Sequence, residues 1–275
     1  MKKNLVGLKT RFSDLDQVVA LNPDIVEFQF SDKDPDYPFH PKKSYDIPCI
    51  IHLPEFWNGY LIDISAITPE NQVLPIRESR KILQEIITKS EKFFQYFTNQ
   101  HNYFILHPGG MSFEKDYPEN NVKRIQALIE SLDMLNLHNS EVLIENLPPF
   151  PWYFNGQWNS NIFMNTEEMQ QFCKKSGRSV CFDTSHAMLY CNEAKLDLIS
   201  QWKTILPYTK HIHIADAIGV DQEGIQINEG EIDFPKFFKS LNTYEGAIIN
   251  EVWMGYTNDF EGFKVATKRI KKYLI

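Results

Sequence analysis

Val180-Cys181-Phe182-Asp183-Thr184-Ser185-His186 is an apolar run of strand length that stops on a carboxylate and meets a histidine three residues later. Further along, His211-Ile212-His213-Ile214-Ala215-Asp216 repeats the design with a run rich in β-branched residues. Working outward, runs of the same kind occur at residues 5–8 (LVGL), 25–30 (IVEFQF), 49–53 (CIIHL), 103–107 (YFILH), 142–145 (VLIE) and 247–251 (AIINE). With residues 180–183 and 211–214 they make eight. Their apolarity is continuous rather than alternating, which suits parallel strands buried on both faces.

Helix-patterned stretches fill the gaps. Residues 75–97 and 121–137 show apolar side chains recurring at three and four. Thr166 opens another helix with Glu168 close behind, and Asp233 is placed to cap the segment PKFFKSL. Residues 260–274 are amphipathic and end in lysines, as a helix C-terminus prefers. Residues 31–43, rich in Pro and Asp, read as a loop, so one helix is short or missing there. No linker or short-period repeat interrupts the alternation. The pattern predicts an α/β fold, a single-domain (β/α)₈ TIM barrel over residues 1–275.

Composition agrees. A chain of 275 residues with 43% hydrophobic content can bury a large core, and no apolar stretch is long enough to span a bilayer. The N-terminal MKKNLVGLKTRFSD turns polar too soon for a signal-peptide core, which points to a cytoplasmic protein with no membrane partner. A net charge of −8 counts against a dedicated nucleic-acid binder. The four cysteines, Cys49, Cys173, Cys181 and Cys191, form no CxxC pair; buried thiols in a reducing compartment are the expectation.

In a barrel of this kind the C-terminal strand ends face the active site. Here six of them carry a metal-ligating or proton-moving residue: His52, His107, Glu145, Asp183, His213 and Glu251, with His186 just beyond Asp183. Any one of these has an innocent reading as a hydrogen-bonded structural residue. Six at one depth crowd negative charge into one basin, which a divalent cation neutralises. Carboxylate and imidazole donors without thiolate suit Mn²⁺ or Zn²⁺, with Mg²⁺ and Co²⁺ also compatible. Asp216, three residues after His213, either orients a neighbouring side chain or caps its own loop.

The ordered set Ile51-His52, His107-Pro108-Gly109, Glu145-Asn146, Asp183-Thr184-Ser185-His186, His213-Ile214-Ala215-Asp216 and Glu251 resembles the xylose isomerase-like barrel superfamily, which holds sugar-phosphate isomerases and epimerases together with endonuclease-IV-type enzymes acting on abasic DNA. The resemblance to its epimerase branch implies one metal held by Glu145, Asp183, His213 and Glu251, with Glu145 and Glu251 also transferring the proton and His186 orienting a substrate oxygen. His52 and His107 are left for a second metal or for substrate. Related barrels often form homodimers. The D-tagatose/D-psicose 3-epimerase group has an Arg where this chain has Gly219 and a Glu where it has Pro151, so ketohexose specificity is not implied. The endonuclease branch needs an Asp-x-His pair before a Gly-Glu-Gly segment; here the sequence reads Asp221-Gln222-Glu223, and a complete three-metal cluster is not expected.

Two loops would frame the mouth. The first, Asn146 to Trp158, is dense in aromatic residues, and Phe150, Trp152 and Trp158 are candidates to touch substrate, the alternative being a rigid cap packed on its neighbours. The second, residues 219–233, would form the opposite wall, with Glu229 on a substrate hydroxyl. Its DAxGVDxEGxQ-type pattern resembles barrels of sugar-phosphate or nonulosonic-acid pathways, hence surface-polysaccharide metabolism. The leading expectation is a metal-dependent sugar isomerase or epimerase working through an enediolate on a small carbohydrate. The alternatives are an inosose-type dehydratase, a phosphodiesterase on abasic DNA, and a binding module in which the four ligands would be dispensable.

Overall fold

A computed structural model describes residues 4–34, 43–68 and 70–274. Eight parallel strands close into one barrel: β1 (Leu5–Thr10), β2 (Ile25–Gln29), β3 (Cys49–His52), β4 (Asn102–Leu106), β5 (Ser140–Glu145), β6 (Val180–Asp183), β7 (Thr209–Ile214) and β8 (Ala247–Asn250). Each neighbours its successor, and β8 closes on β1. The fold is the single (β/α)₈ barrel that the alternation of runs predicts.

Strand periodicity of two divides the side chains between two cores. Outward residues such as Val6, Phe28, Ile51, Phe104, Val142, Phe182, Ile212 and Ile248 join the large core beneath the helices. Inward residues Ile25, Ile50, Ile105, Leu143, Cys181, Ala247 and Ile249 form a separate cluster filling the barrel interior. Gly7 belongs to this level, and glycine is required there, since a Cβ would lie 2.3 Å from Cδ1 of Ile249.

Around the barrel lie α1 (Leu15–Ala20), α2 (Ile76–Ser90), α3 (Glu119–Met134), α4 (Thr166–Ser176), α5 (Thr184–Ala194), α6 (Leu198–Ile205), α7 (Phe234–Lys239) and α8 (Thr257–Tyr273). The predicted helix over residues 75–97 becomes α2 followed by a 3₁₀ turn, Glu91–Tyr96, which tightens its C-terminal end. Asp233 caps α7 through Lys236 N, and α4 opens at Thr166, both as expected; the cap of α4 is Asn165. In α8 the residues Asn258, Asp259 and Phe260 have left-handed backbone angles, so regular helix begins beyond them. Of the loop expected over residues 31–43, the part at 35–42 lies outside the described residues. The cysteines are buried and unpaired. Among the described residues no helix is long and apolar enough to cross a membrane.

Candidate metal centre

Two residues beyond the apolar interior level, every strand presents a polar side chain to the barrel axis. Gly7 is followed by Lys9, Ile25 by Glu27, Ile50 by His52, Ile105 by His107, Leu143 by Glu145, Cys181 by Asp183, His211 by His213 and Ile249 by Glu251. The register sets Lys9 opposite Glu27 and Asp183 opposite His213, and staggers the ring by two residues elsewhere: His52 lies opposite Gln29 and Ile105, Glu145 opposite Cys181, and His213 opposite Ile249, the shear that closes a barrel.

Within this ring Glu145, Asp183, His213 and Glu251 converge, their ligand atoms all within 4.8 Å of one another. Nδ1 of His213 is 3.0 Å from Oε1 of Glu145 and 2.7 Å from Oε2 of Glu251. The same Oε2 is buried yet makes no hydrogen bond. On the far side of the ring, Nε2 of His213 stands 2.9 Å from Oε2 of Glu27, which is fully buried. Donation of that N–H to Glu27 leaves the Nδ1 lone pair facing two carboxylates, the arrangement in which a ligating histidine is oriented from behind. Three carboxylates and one imidazole converging on an unpartnered oxygen fit a divalent cation.

Each ligand is held from its own neighbourhood. Asp183 ends β6 and caps α5, accepting from His186 N at 2.6 Å. Asn146, next to Glu145, clamps Asp183 by a reciprocal pair, receiving its N–H at 2.7 Å and donating to its carbonyl at 2.9 Å. Glu251 is gripped through Oε1 by the ammonium of Lys9, which also lies 3.5 Å from Oε1 of Glu27. Glu145 has Nε2 of His52 at 3.1 Å and Nε2 of His107 at 3.4 Å from its other oxygen, Oε2. His52, Glu145 and His213 form a second group of closely spaced ligand atoms.

Electrostatics follow from crowding in a dry place. Burial pushes the Asp183 carboxyl up to about 7, against the charge of His186 and with help from Glu251 and Glu145. Burial also acts to raise Glu251, but His213 and Lys9 outweigh it and hold that carboxyl well below the usual range. Burial lowers a histidine; Asp183 and Glu223 nevertheless carry His186 well above its ordinary value. Nδ1 of His186 meets the Asn146 carbonyl at 2.8 Å and Nε2 meets Oε2 of Glu223 at 2.8 Å.

Above the ring opens a cavity of about 400 Å³ whose wall includes Lys9, His107, His186, Glu223, Glu251 and Trp152. Trp152 is 59% exposed at this mouth. The other loop candidates lie elsewhere. Trp158 is buried with Leu61, Met111 and Leu147, so it packs as a cap because its neighbours leave it no path to the cavity. Phe150, half-buried, is not among the wall residues. Glu229 is drawn to the surface by Arg269, 2.7 Å away, and Glu223 of the same loop faces the cavity instead. Asp216 accepts from Ala217, Gly230 and Ile232 backbone N–H groups and is the cap of its own loop.

Reading the sequence at strand ends missed Lys9, Glu27, Glu55 and Glu223. The first apolar run was ended at residue 8, one short of Lys9, and Glu27 stood unremarked inside IVEFQF. A step of two from the interior level finds both. Glu55 receives the Tyr153 hydroxyl at 2.8 Å, a contact between separate loops that no local pattern announces.

Residues 43–273 match the family model described as the xylose isomerase-like TIM barrel. The chain belongs to this family. An uncharacterized protein from Methanocaldococcus jannaschii is 25% identical over 205 residues, spanning 72% of this chain and 68% of that protein. Among solved structures, a D-tagatose 3-epimerase-like protein superposes with a TM-score of 0.69 at 16% identity, covering 98% of this chain and 97% of its own. An IolI protein with a bound zinc atom does so with a TM-score of 0.68 at 14% identity, covering 98% of each chain. At these identities the shared property is the fold, one that also serves an endonuclease IV and a probable dehydratase.

Proposed function

We propose that this protein is a divalent-metal-dependent isomerase or epimerase acting on a sugar or sugar phosphate through an enediolate. The observation that carries the reading is the convergence of Glu145, Asp183, His213 and Glu251 at the foot of an open cavity. A cation such as Mn²⁺ or Zn²⁺ held by these four residues supplies Lewis-acid polarisation of a substrate carbonyl and its adjacent hydroxyl. Glu251, kept ionised by Lys9 and His213, is then the group that removes the proton from the carbon between them. Glu145, which faces Nδ1 of His213 beside Glu251, returns it to the opposite face or to the neighbouring carbon. His186, charged between Asp183 and Glu223, donates to a substrate oxygen from the cavity wall. His52 and His107 face Glu145 as partners for the substrate or a second ion.

A phosphodiesterase on abasic DNA is disfavoured by the net charge of −8 and by Glu223, which occupies His186 where a third metal's ligands would be needed. The test is deuterium wash-in. The Mn²⁺-loaded protein in D₂O should exchange a C–H next to the carbonyl of one member of a panel of ketoses, aldoses and their phosphates. Glu145→Gln and Glu251→Gln should each lower that exchange by at least about a hundredfold with the fold intact by circular dichroism. Unchanged exchange in both variants rejects the proton-transfer assignment.

A further inference from the structure

One level above the metal ring, the barrel wall is asymmetric. The register of β1 sets Lys9 opposite Glu27 on β2, and Gly7 opposite Ile249 on β8. Arg11 and Gln29 directly follow the last pair of β1 and β2, Thr10 and Phe28, while Trp253 stands three residues past the end of β8, in a turn held to Gly224. All three of these side chains line the cavity. Two residues past Glu145, Asp183 and His213 stand Leu147, Ser185 and Ala215, all buried. The mouth therefore offers a guanidinium, a carboxamide and an indole to whatever fills the cavity.

The charges lining the mouth are otherwise satisfied. Glu251 holds Lys9, Glu223 holds His186, Glu55 receives Tyr153, and Asp14 receives the Thr10 hydroxyl at 2.8 Å and the Arg11 backbone N–H at 2.7 Å. Among the described charged side chains lining this cavity, only the guanidinium of Arg11 has no ion-pair or hydrogen-bond partner, while its backbone is fixed by Asp14. Trp253 is also fixed. Its ring packs so closely on Gly224 that a Cβ there would lie 2.2 Å from Cδ1, its backbone N–H donates to the Gly224 carbonyl at 2.9 Å, and the residue is still 59% exposed.

We propose that this face is an anion subsite, and that the substrate is an acidic sugar whose phosphate or carboxylate is held by Arg11 with Gln29 while a ring face rests on Trp253. A planar guanidinium accepts either oxyanion through two parallel N–H bonds. The proposal rests on the sugar reading above for the rest of the ligand, but the subsite itself is testable without it.

Isothermal titration of the Mn²⁺-loaded full chain with inorganic phosphate reads the subsite as the part of the binding that Arg11 carries, because phosphate also ligates an open Mn²⁺. Binding is expected in the wild type, weakened at least tenfold in Arg11→Gln with Mn²⁺ affinity unchanged, and weakened by added salt. Phosphate that fails to bind, or binds Arg11→Gln equally well, overturns the proposal. A second arm compares D-fructose 6-phosphate and D-glucuronate with D-fructose. An advantage of the acidic sugars of at least tenfold, lost in Arg11→Gln, supports the proposal and distinguishes phosphate from carboxylate. Phosphate binding through Arg11 with no sugar bound would overturn the sugar reading and retain the subsite; neutral and acidic sugars bound equally would overturn the subsite and retain the sugar reading.

Discussion

Lys9 and Glu27 stand outside the four converging residues, yet each bonds one of them and decides how it points. Lys9 occupies one oxygen of Glu251, so the other is free to face the centre. Glu27 takes the Nε2 proton of His213 and leaves Nδ1 for metal. Replacing Lys9 by Met, or Glu27 by Gln, should weaken Mn²⁺ or Zn²⁺ binding by about 10–100-fold while the fold survives. Competition against a chromogenic chelator measures this directly, and affinities within twofold of wild type would remove both residues from the positioning role. Such partners are hard to read from sequence because a buried lysine or glutamate carries no motif. What marks Lys9 and Glu27 is only their place in the pleat, two residues past Gly7 and Ile25. The four expected ligands were legible because each ends an apolar run.

At the level of elements, the turns after the strands fix the ring in depth. Behind His107, Gly109 and Gly110 adopt left-handed backbone angles, and Asp63 fastens the turn by accepting from Gly110 N at 2.7 Å. A Cβ on Gly109 would fall 2.1 Å from Oδ1 of Asp63. Gly109→Ala should therefore cost about 1–3 kcal/mol in chemical denaturation and displace His107. A variant as stable as wild type would show that the turn has slack. The run VCFDTSH announces both a strand and the carboxylate that ends it. Helix α5 is not announced by the sequence, since its cap, Asp183, reads there as the end of a strand; its side chain accepts from His186 N. Trp158 and Glu229 went astray for another reason: whether a loop side chain turns inward depends on contacts with distant segments, here Leu61 and Met111 for the one and Arg269 for the other.

For the molecule as a whole, the ring trades stability for chemistry, and pH exposes the trade. Asp183 holds its proton up to about 7 in the folded chain against an ordinary value of 3.8. Between those values the unfolded chain has released a proton that the folded chain keeps, so this contribution to stability is lost as pH rises through about 7. His107 and His186, raised by their carboxylate neighbours against the lowering effect of burial, act in the same direction above their ordinary 6.5. His211, lowered by burial, opposes them by favouring folding as pH rises. Chelator-treated protein should melt at lower temperature at about pH 8 than at about pH 5, with a smaller drop in Asp183→Asn, and added Mn²⁺ should reverse the slope because its ligands bind deprotonated. Calorimetry with and without chelator checks this; a midpoint that climbs equally in both proteins contradicts the assignment. The barrel interior adds a kinetic consequence. Ile25, Ile50, Ile105, Leu143 and Ile249 stopper the lower half of the tube, making it a blind well with one opening. An ion at its bottom can leave only past whatever fills the neck, so a bound sugar should slow the escape of metal to a chelator and act as its cork.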